Sequence, residues 1–118
     1  MLPLDRPMER KLDILQGTLD LMVLRTLATL GRQHGYAIAG RLEQISQGSL
    51  QLNMGTLYPA LVRLEQRGLV RAKWGTTESN RRARFYEITP AGRKHMQAER
   101  EQWQHMAAIM SRVLEGEA

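Results

Sequence analysis

Apolar residues recur along this chain with two periods, and the switches between them predict its elements. Leu57, Ala60, Leu61 and Leu64 fall at helical spacing, so one stripe faces a core while Thr56, Arg63, Gln66 and Arg67 take the opposite, acid-free face. Gly68 stands where a left-handed C-cap ends that helix. The pattern then becomes alternating, with Val70, Ala72 and Trp74 set against Leu69, Arg71 and Lys73. A polar loop over 76–80 leads to a second strand over 81–88, so the pair reads as a hairpin, with Trp74 and Tyr86 expected in the core.

The chain before this unit is helical. Residues 1–16 mix Pro3 and Pro7 with many charges and read as a loosely ordered arm, anchored at its far end by Leu12, Ile14 and Leu15. Thr18 is the predicted N-cap of a helix that runs to about Leu30 and stops at Gly31. Leu19, Met22, Val23, Leu27 and Leu30 make one apolar face of it, and Leu21, Leu24 and Ala28 a second, so it needs covering from two sides. His34, Gly35 and Tyr36 open a short helix that carries Ile38, Leu42 and Ile45 inward and ends near Gln47 or Gly48. Residues 49–52 alternate and suggest a brief strand pairing with the hairpin. Asn53 caps the next helix. With that cap Pro59 lies deep enough to distort it, whereas a cap at Thr56 would leave Pro59 in the first turn, so an irregular turn is expected over 54–58.

Thr89 and Pro90 mark another helix start, and the helix to about Leu114 spans roughly 36 Å at 1.5 Å per residue. Met96, Trp103, Met106, Met110 and Val113 follow a seven, three, four spacing along it, the pattern of a packed helix seam, with Glu99 as its polar member. The seam calls for another helix. A second subunit is the simplest cover for it and for Leu21 and Leu24. The element order is therefore mainly α with a small β hairpin: a winged helix-turn-helix over 17–89, preceded by the arm and followed by a dimerisation helix over 90–118.

Charge gives this architecture a partner. The 118 residues hold 17 Lys and Arg against 12 Asp and Glu, for a formal net charge of +5, which makes a polyanion the first ligand to consider. The excess is local: Arg71, Lys73, Arg81, Arg82 and Arg84 face only Glu78 between positions 71 and 84. Cations so crowded repel one another unless an anion offsets them. In a winged helix, polar side chains of the third helix enter the major groove and the wing's cations meet flanking phosphates. No cysteine occurs, and no apolar run, 21–24 included, approaches the length of a membrane span, so a cytoplasmic protein is expected.

Several separated motifs carry a family resemblance: Gln16-Gly17-Thr18-Leu19-Asp20-Leu21; His34-Gly35-Tyr36-Ala37-Ile38; Gly55-Thr56-Leu57-Tyr58-Pro59-Ala60-Leu61 through Leu64-Glu65 to Gly68-Leu69-Val70; and Arg81-Arg82-Ala83-Arg84-Phe85-Tyr86-Glu87-Ile88-Thr89. Together they resemble the PadR family of bacterial transcriptional regulators, over nearly the whole chain after the first dozen residues. The single long C-terminal helix is similar to the family's short-tailed subgroup, which dimerises through that helix and the first one. The resemblance implies operator DNA as ligand, contacted by Asn53, Thr56, Tyr58 and Arg63 of the recognition helix and by Arg81, Arg82 and Arg84 of the wing, with Lys73 at the wing's flank. It also implies repression as the usual role. In some members the region between subunits holds flat apolar or phenolic effectors. That would make Trp103 and Met106 an effector site, although interface core is the simpler role for a seam tryptophan.

Catalysis finds no support. His34, His95 and His105 lie on separate elements or point to different sides of one helix, and no metal spacing, nucleophile elbow, phosphate loop or carboxylate pair occurs. No cofactor is expected. The rival to a DNA-binding regulator is a winged-helix interaction module whose basic hairpin binds an acidic protein; such a module would expose apolar anchors on its third helix.

Overall fold

The computed structural model describes the backbone of residues 7–116 and side chains from Gly17 to Gly116. Among the described residues, four helices and a three-stranded antiparallel sheet follow in the order α1 (Pro7–Leu30), β1 (Gln33–His34), α2 (Gly35–Ile45), α3 (Met54–Gln66), β2 (Val70–Thr76), β3 (Arg82–Ile88) and α4 (Pro90–Leu114). The winged helix-turn-helix is present, with the wing as the β2–β3 hairpin.

Several expectations need correcting, among them Ile45 of α2, which is 61% exposed rather than turned inward. α1 starts at Pro7 rather than at Thr18, so much of the expected arm is the first half of a 24-residue helix. Proline suits that start because it lacks only an amide that a first turn leaves unpaired anyway. The anchoring role of Leu12, Ile14 and Leu15 lies outside the described side chains. Residues 49–52 form no strand; the third strand is Gln33–His34, paired with Tyr86 and Phe85 to give the order β1-β3-β2. Alternation over four residues was a weak signal beside the backbone pairing that the α1–α2 connection makes available. Finally, Leu24 and Met96, expected at an interface, are buried within this one chain, which leaves them almost no surface to offer a partner. α1 packs against α2, α3, β3 and α4, so a single chain supplies most of the cover that its two apolar faces require.

The core joins Leu19, Val23, Leu24 and Leu27 of α1 to Ile38 and Leu42 of α2 and to the expected α3 stripe, Leu57, Ala60, Leu61 and Leu64, all four fully buried. Val70, Tyr86 and Ile88 close it from the sheet, and Met96 from α4. Among the described residues Thr26 is the buried polar one, its hydroxyl satisfied by donating to the Met22 carbonyl at 2.8 Å.

The caps fix where the elements meet. His34 Nδ1 accepts the Ala37 amide at 3.4 Å to start α2, and Asn53 Oδ1 accepts the Thr56 amide at 3.0 Å to start α3. Because Asn53 is the cap, Pro59 lies inside α3, four residues after Gly55, whose carbonyl loses the bond position 59 would donate. The helix nevertheless runs unbroken. α3 ends in a Schellman motif: Gly68 at φ 72° donates to Glu65 at 3.0 Å, and Leu69 donates to Leu64 at 2.9 Å. Thr89 then ties this cap to α4. Its amide donates to the Leu69 carbonyl at 3.1 Å, its hydroxyl donates to the Gly68 carbonyl at 2.7 Å, and the same oxygen accepts the Gly92 amide at 3.0 Å.

Gly92 is the close-approach point of this junction. A Cβ there would collide with the Leu69 carbonyl and lie 2.8 Å from Ile88 Cγ1. Gly92→Ala should therefore destabilise the fold by about 2–3 kcal/mol, the overpacking outweighing the roughly 1 kcal/mol that alanine gains in a helix. Urea denaturation would read this as a lower midpoint at unchanged slope.

Candidate nucleic-acid interface

The first turns of α3 present Asn53, Thr56 and Tyr58. The Asn53 carbonyl oxygen is committed to its cap, which leaves its amide nitrogen as the outward donor. Thr56 is half-buried and Tyr58 is 48% exposed, at the end of the helix opposite the glycine cap. These are the expected recognition residues, and their side chains lie where the helix is not used for packing.

The wing is closed by its own hydroxyls. Thr77 donates from its amide to the Arg81 carbonyl at 2.8 Å and accepts the Asn80 amide at 2.9 Å. Its Oγ1 also accepts the Arg81 amide at 3.1 Å. Asn80 takes the left-handed conformation at φ 64°, which asparagine tolerates better than most side chains. This tight tip leaves Lys73, Arg81 and Arg82 exposed on the wing.

Two of the expected contacts are engaged elsewhere. Arg63 donates to Asp20 of α1 at 2.9 Å, so it fastens the recognition helix to the first helix. Arg84 donates to Glu65 of α3 at 3.1 Å and fastens the wing to the same helix. Both pairs are partly solvent-exposed, so each contributes on the order of 0–1 kcal/mol and acts mainly on orientation. Periodicity placed Arg63 on the outer face of its helix and the resemblance placed Arg84 among the wing contacts; their long side chains reach back to acids 43 and 19 residues away.

Trp74 corrects a further expectation. It is 58% exposed rather than core, because the hairpin runs past the last core rung. Its ring carries the Arg82 guanidinium at 4.9 Å and that of Arg84 at 5.9 Å. Glu65, Arg84, Trp74 and Arg82 thus make one continuous stack from α3 into the wing. The sequence signal was present in the cross-strand placement of Trp74 opposite Arg84, which only the register reveals.

Tyr86, paired with Ala72 of β2, is buried at 4% exposure. Burial pushes its phenol above the ordinary value of 10.0, Arg84 pulls it back, and Tyr58 and Glu65 push it up further. The neutral phenol is therefore favoured by folding. Its contribution is complete below pH 10.0 and is lost as pH rises through the folded value, since the unfolded chain releases the proton first. Tyr86→Phe should accordingly show a shallower loss of stability between about pH 9 and about pH 11 than the parent chain, read from urea midpoints.

The seam on α4 divides at Met96. Beyond it Trp103 is 53% exposed, and Met106, Met110 and Val113 are similarly open. Leu21 is half-buried opposite them, and with Trp103 and Met106 it lines a cleft of about 300 Å³ between α1 and α4. A larger apolar groove of about 610 Å³ runs from Trp103 past Leu21 and Met22 to Ile45 and Leu50. Among the described residues no group of three His, Cys, Asp or Glu could hold a metal ion, and no helix is long and apolar enough to cross a membrane.

Comparison with known proteins agrees with this geometry. The model of the family described as "Transcriptional regulator PadR-like family" matches residues 23–98. An uncharacterized protein X from Lysinibacillus sphaericus is 28% identical over 104 residues, covering 88% of this chain and 94% of that one. An uncharacterized 37.1 kDa protein in transposon TN4556 from Streptomyces fradiae is 41% identical over 95 residues, which cover 80% of this chain and 25% of that protein. Among solved structures, a transcriptional regulator from Clostridium thermocellum superposes with a TM-score of 0.75 at 28% identity, over 85% of this chain and 93% of that one. With its winged helix, exposed recognition turns and basic hairpin, the chain belongs to the PadR-like family, DNA-binding transcriptional regulators rather than enzymes.

Proposed function

We propose that this regulator works as a cytoplasmic homodimer that represses transcription from a near-palindromic operator, with 17–89 holding the DNA-binding part and 90–118 the dimerisation helix. The observation that carries the reading is the fastening of the wing to α3 through Arg84 and Glu65, which presents Arg81 and Arg82 together with Asn53, Thr56 and Tyr58. The contact set is accordingly Asn53, Thr56, Tyr58, Lys73, Arg81 and Arg82, with Arg63 and Arg84 in positioning roles. Tyr58 is the one large exposed hydrophobic on α3 among the described residues, which disfavours the interaction module that would need apolar anchors there.

Dimerisation is supported by the row of Trp103, Met106, Met110 and Val113, each about half-exposed along a helix that outruns the domain. The second subunit's helix would cover this row. The groove beside Trp103 suits a flat apolar or phenolic effector that shifts the equilibrium between DNA-competent and incompetent dimers. Effector titrations followed by Trp103 emission in a Trp74→Phe background would test this. Unchanged emission across several flat aromatics would remove the effector from the proposal.

Selection of bound sequences from random duplex DNA at two salt concentrations tests the main reading. An enriched inverted repeat is expected, with affinity falling by about 10³ to 10⁵ between roughly 50 and 200 mM salt for a dimer meeting about 6–10 phosphates. Arg82→Ala should weaken all duplexes and lower the salt slope, while Thr56→Ala should change sequence preference. Met110→Asp should give monomers by sedimentation and lose the preference for two half-sites. Equal losses on every sequence from Arg82→Ala and Thr56→Ala would overturn the proposed division between phosphate and base contacts.

A further inference from the structure

Gly75 is the last residue but one of β2, and glycine within a strand weakens it unless something approaches closely. Here the approaching group is Arg32, from the connection between α1 and β1. A Cβ on Gly75 would lie 2.8 Å from Arg32 Nη2 and 2.8 Å from Phe85 Cδ1. The Arg32 guanidinium lies 4.5 Å from the centre of the Phe85 ring, and His34 meets the same ring edge-on at 5.3 Å. Gly75 is paired across the hairpin with Ala83, so the hairpin is thinned to its two smallest side chains where this cation crosses it.

Arg32 is exposed, and among the described residues it forms no ion pair. An arginine held across an aromatic face has lost much of its rotamer freedom already, so an anion arriving at it faces a smaller ordering cost. It lines a cleft of about 1180 Å³ between the wing and the start of α2. Arg81 and Arg82 line the same cleft from the wing, and Tyr36, at 74% exposure, lines it from α2. Among the described residues Glu78 is the single acid lining the cleft, against Arg32, Arg81, the Tyr36 phenol and Arg82, whose guanidinium stacks on Trp74.

We infer that this cleft is a second DNA-backbone site, in which Arg32, preorganised by Phe85 and Gly75, and the Tyr36 hydroxyl bind a phosphate outside the groove entered by α3. The inference rests on the DNA-binding reading above and extends it to residues that the recognition helix and wing tip do not include. A phosphodiester suits the cleft better than a carboxylate-rich peptide, because arginine forks and a phenol donor together match a phosphate's several acceptor oxygens. Tyr36 adds a hydrogen bond without adding charge, and Arg32 supplies the charge that releases counterions.

The test uses the full chain and a fluorescein-labelled 30-base-pair duplex carrying the selected repeat, with affinity measured across a salt series. Arg32→Gln is expected to weaken binding about tenfold and to lower the slope of log affinity against log salt by about 0.9 for each phosphate lost, so about 1.8 for a dimer. Tyr36→Phe should weaken binding a few-fold at unchanged slope. Gly75→Ala, which displaces Arg32 without removing its charge, should fall between the parent and Arg32→Gln. Arg32→Gln with unchanged affinity and slope, alongside an Arg82→Ala variant that loses both, would overturn the second site and leave the regulator reading standing. Unchanged slopes in both variants would overturn the two together. Thermal melts identify any variant that is merely unfolded, and Arg32→Lys supplies the rescue: a charge without the planar stack should recover the slope more than the affinity.

Discussion

The contact between Thr89 and the end of α3 decides how the remaining parts are arranged. Three hydrogen bonds converge there on the Gly68 and Leu69 carbonyls and the Gly92 amide, at a place where the backbone of α4 touches that of the α3 cap. A left-handed glycine is needed at 68 so that the chain can reverse, and a residue without Cβ is needed at 92 so that the helix can approach. Recognition helix, wing and long helix therefore radiate from one junction of about five residues. Shifting α4 relative to α3 would break backbone bonds rather than loosen side chains, which makes the angle between them a stiff property of the fold.

The arginines around α3 are divided by what they can reach. Arg63 and Arg84 find acids on neighbouring elements and become fasteners. Arg32 and Arg82 find aromatic rings instead, which hold a guanidinium in place while leaving its charge uncancelled. That distinction matters for an anion-binding surface. A salt bridge neutralises the group it orients, whereas a ring orients it and keeps the long-range attraction that draws in a polyanion.

Much of the fold was legible because it depends on local chemistry. The α3 stripe, the caps at His34, Asn53, Gly68 and Thr89, and the alternation of the hairpin all follow from residues within a few positions of one another. The exposed half of the seam on α4 was equally readable, since Trp103, Met106, Met110 and Val113 repeat along one face that the small domain is too short to cover. The misreadings arose where a segment carried more than one consistent signal. Thr18 can cap a helix, but the chain before it is also helix-compatible; residues 49–52 alternate, but strand pairing goes to Gln33 and His34.

The sequence by itself determined the winged helix, the family and the basic character of the hairpin, because period, capping residues and charge density are properties of neighbouring positions. Only the tertiary structure decided which cations remain available, that Leu24 and Met96 belong to one chain's core, and that Trp74 is a platform. Those outcomes depend on pairs such as Arg63 with Asp20, Arg84 with Glu65 and Arg32 with Phe85, which lie 43, 19 and 53 residues apart. A long side chain can satisfy its charge in several directions. The packing of the helices and the register of the sheet choose among them.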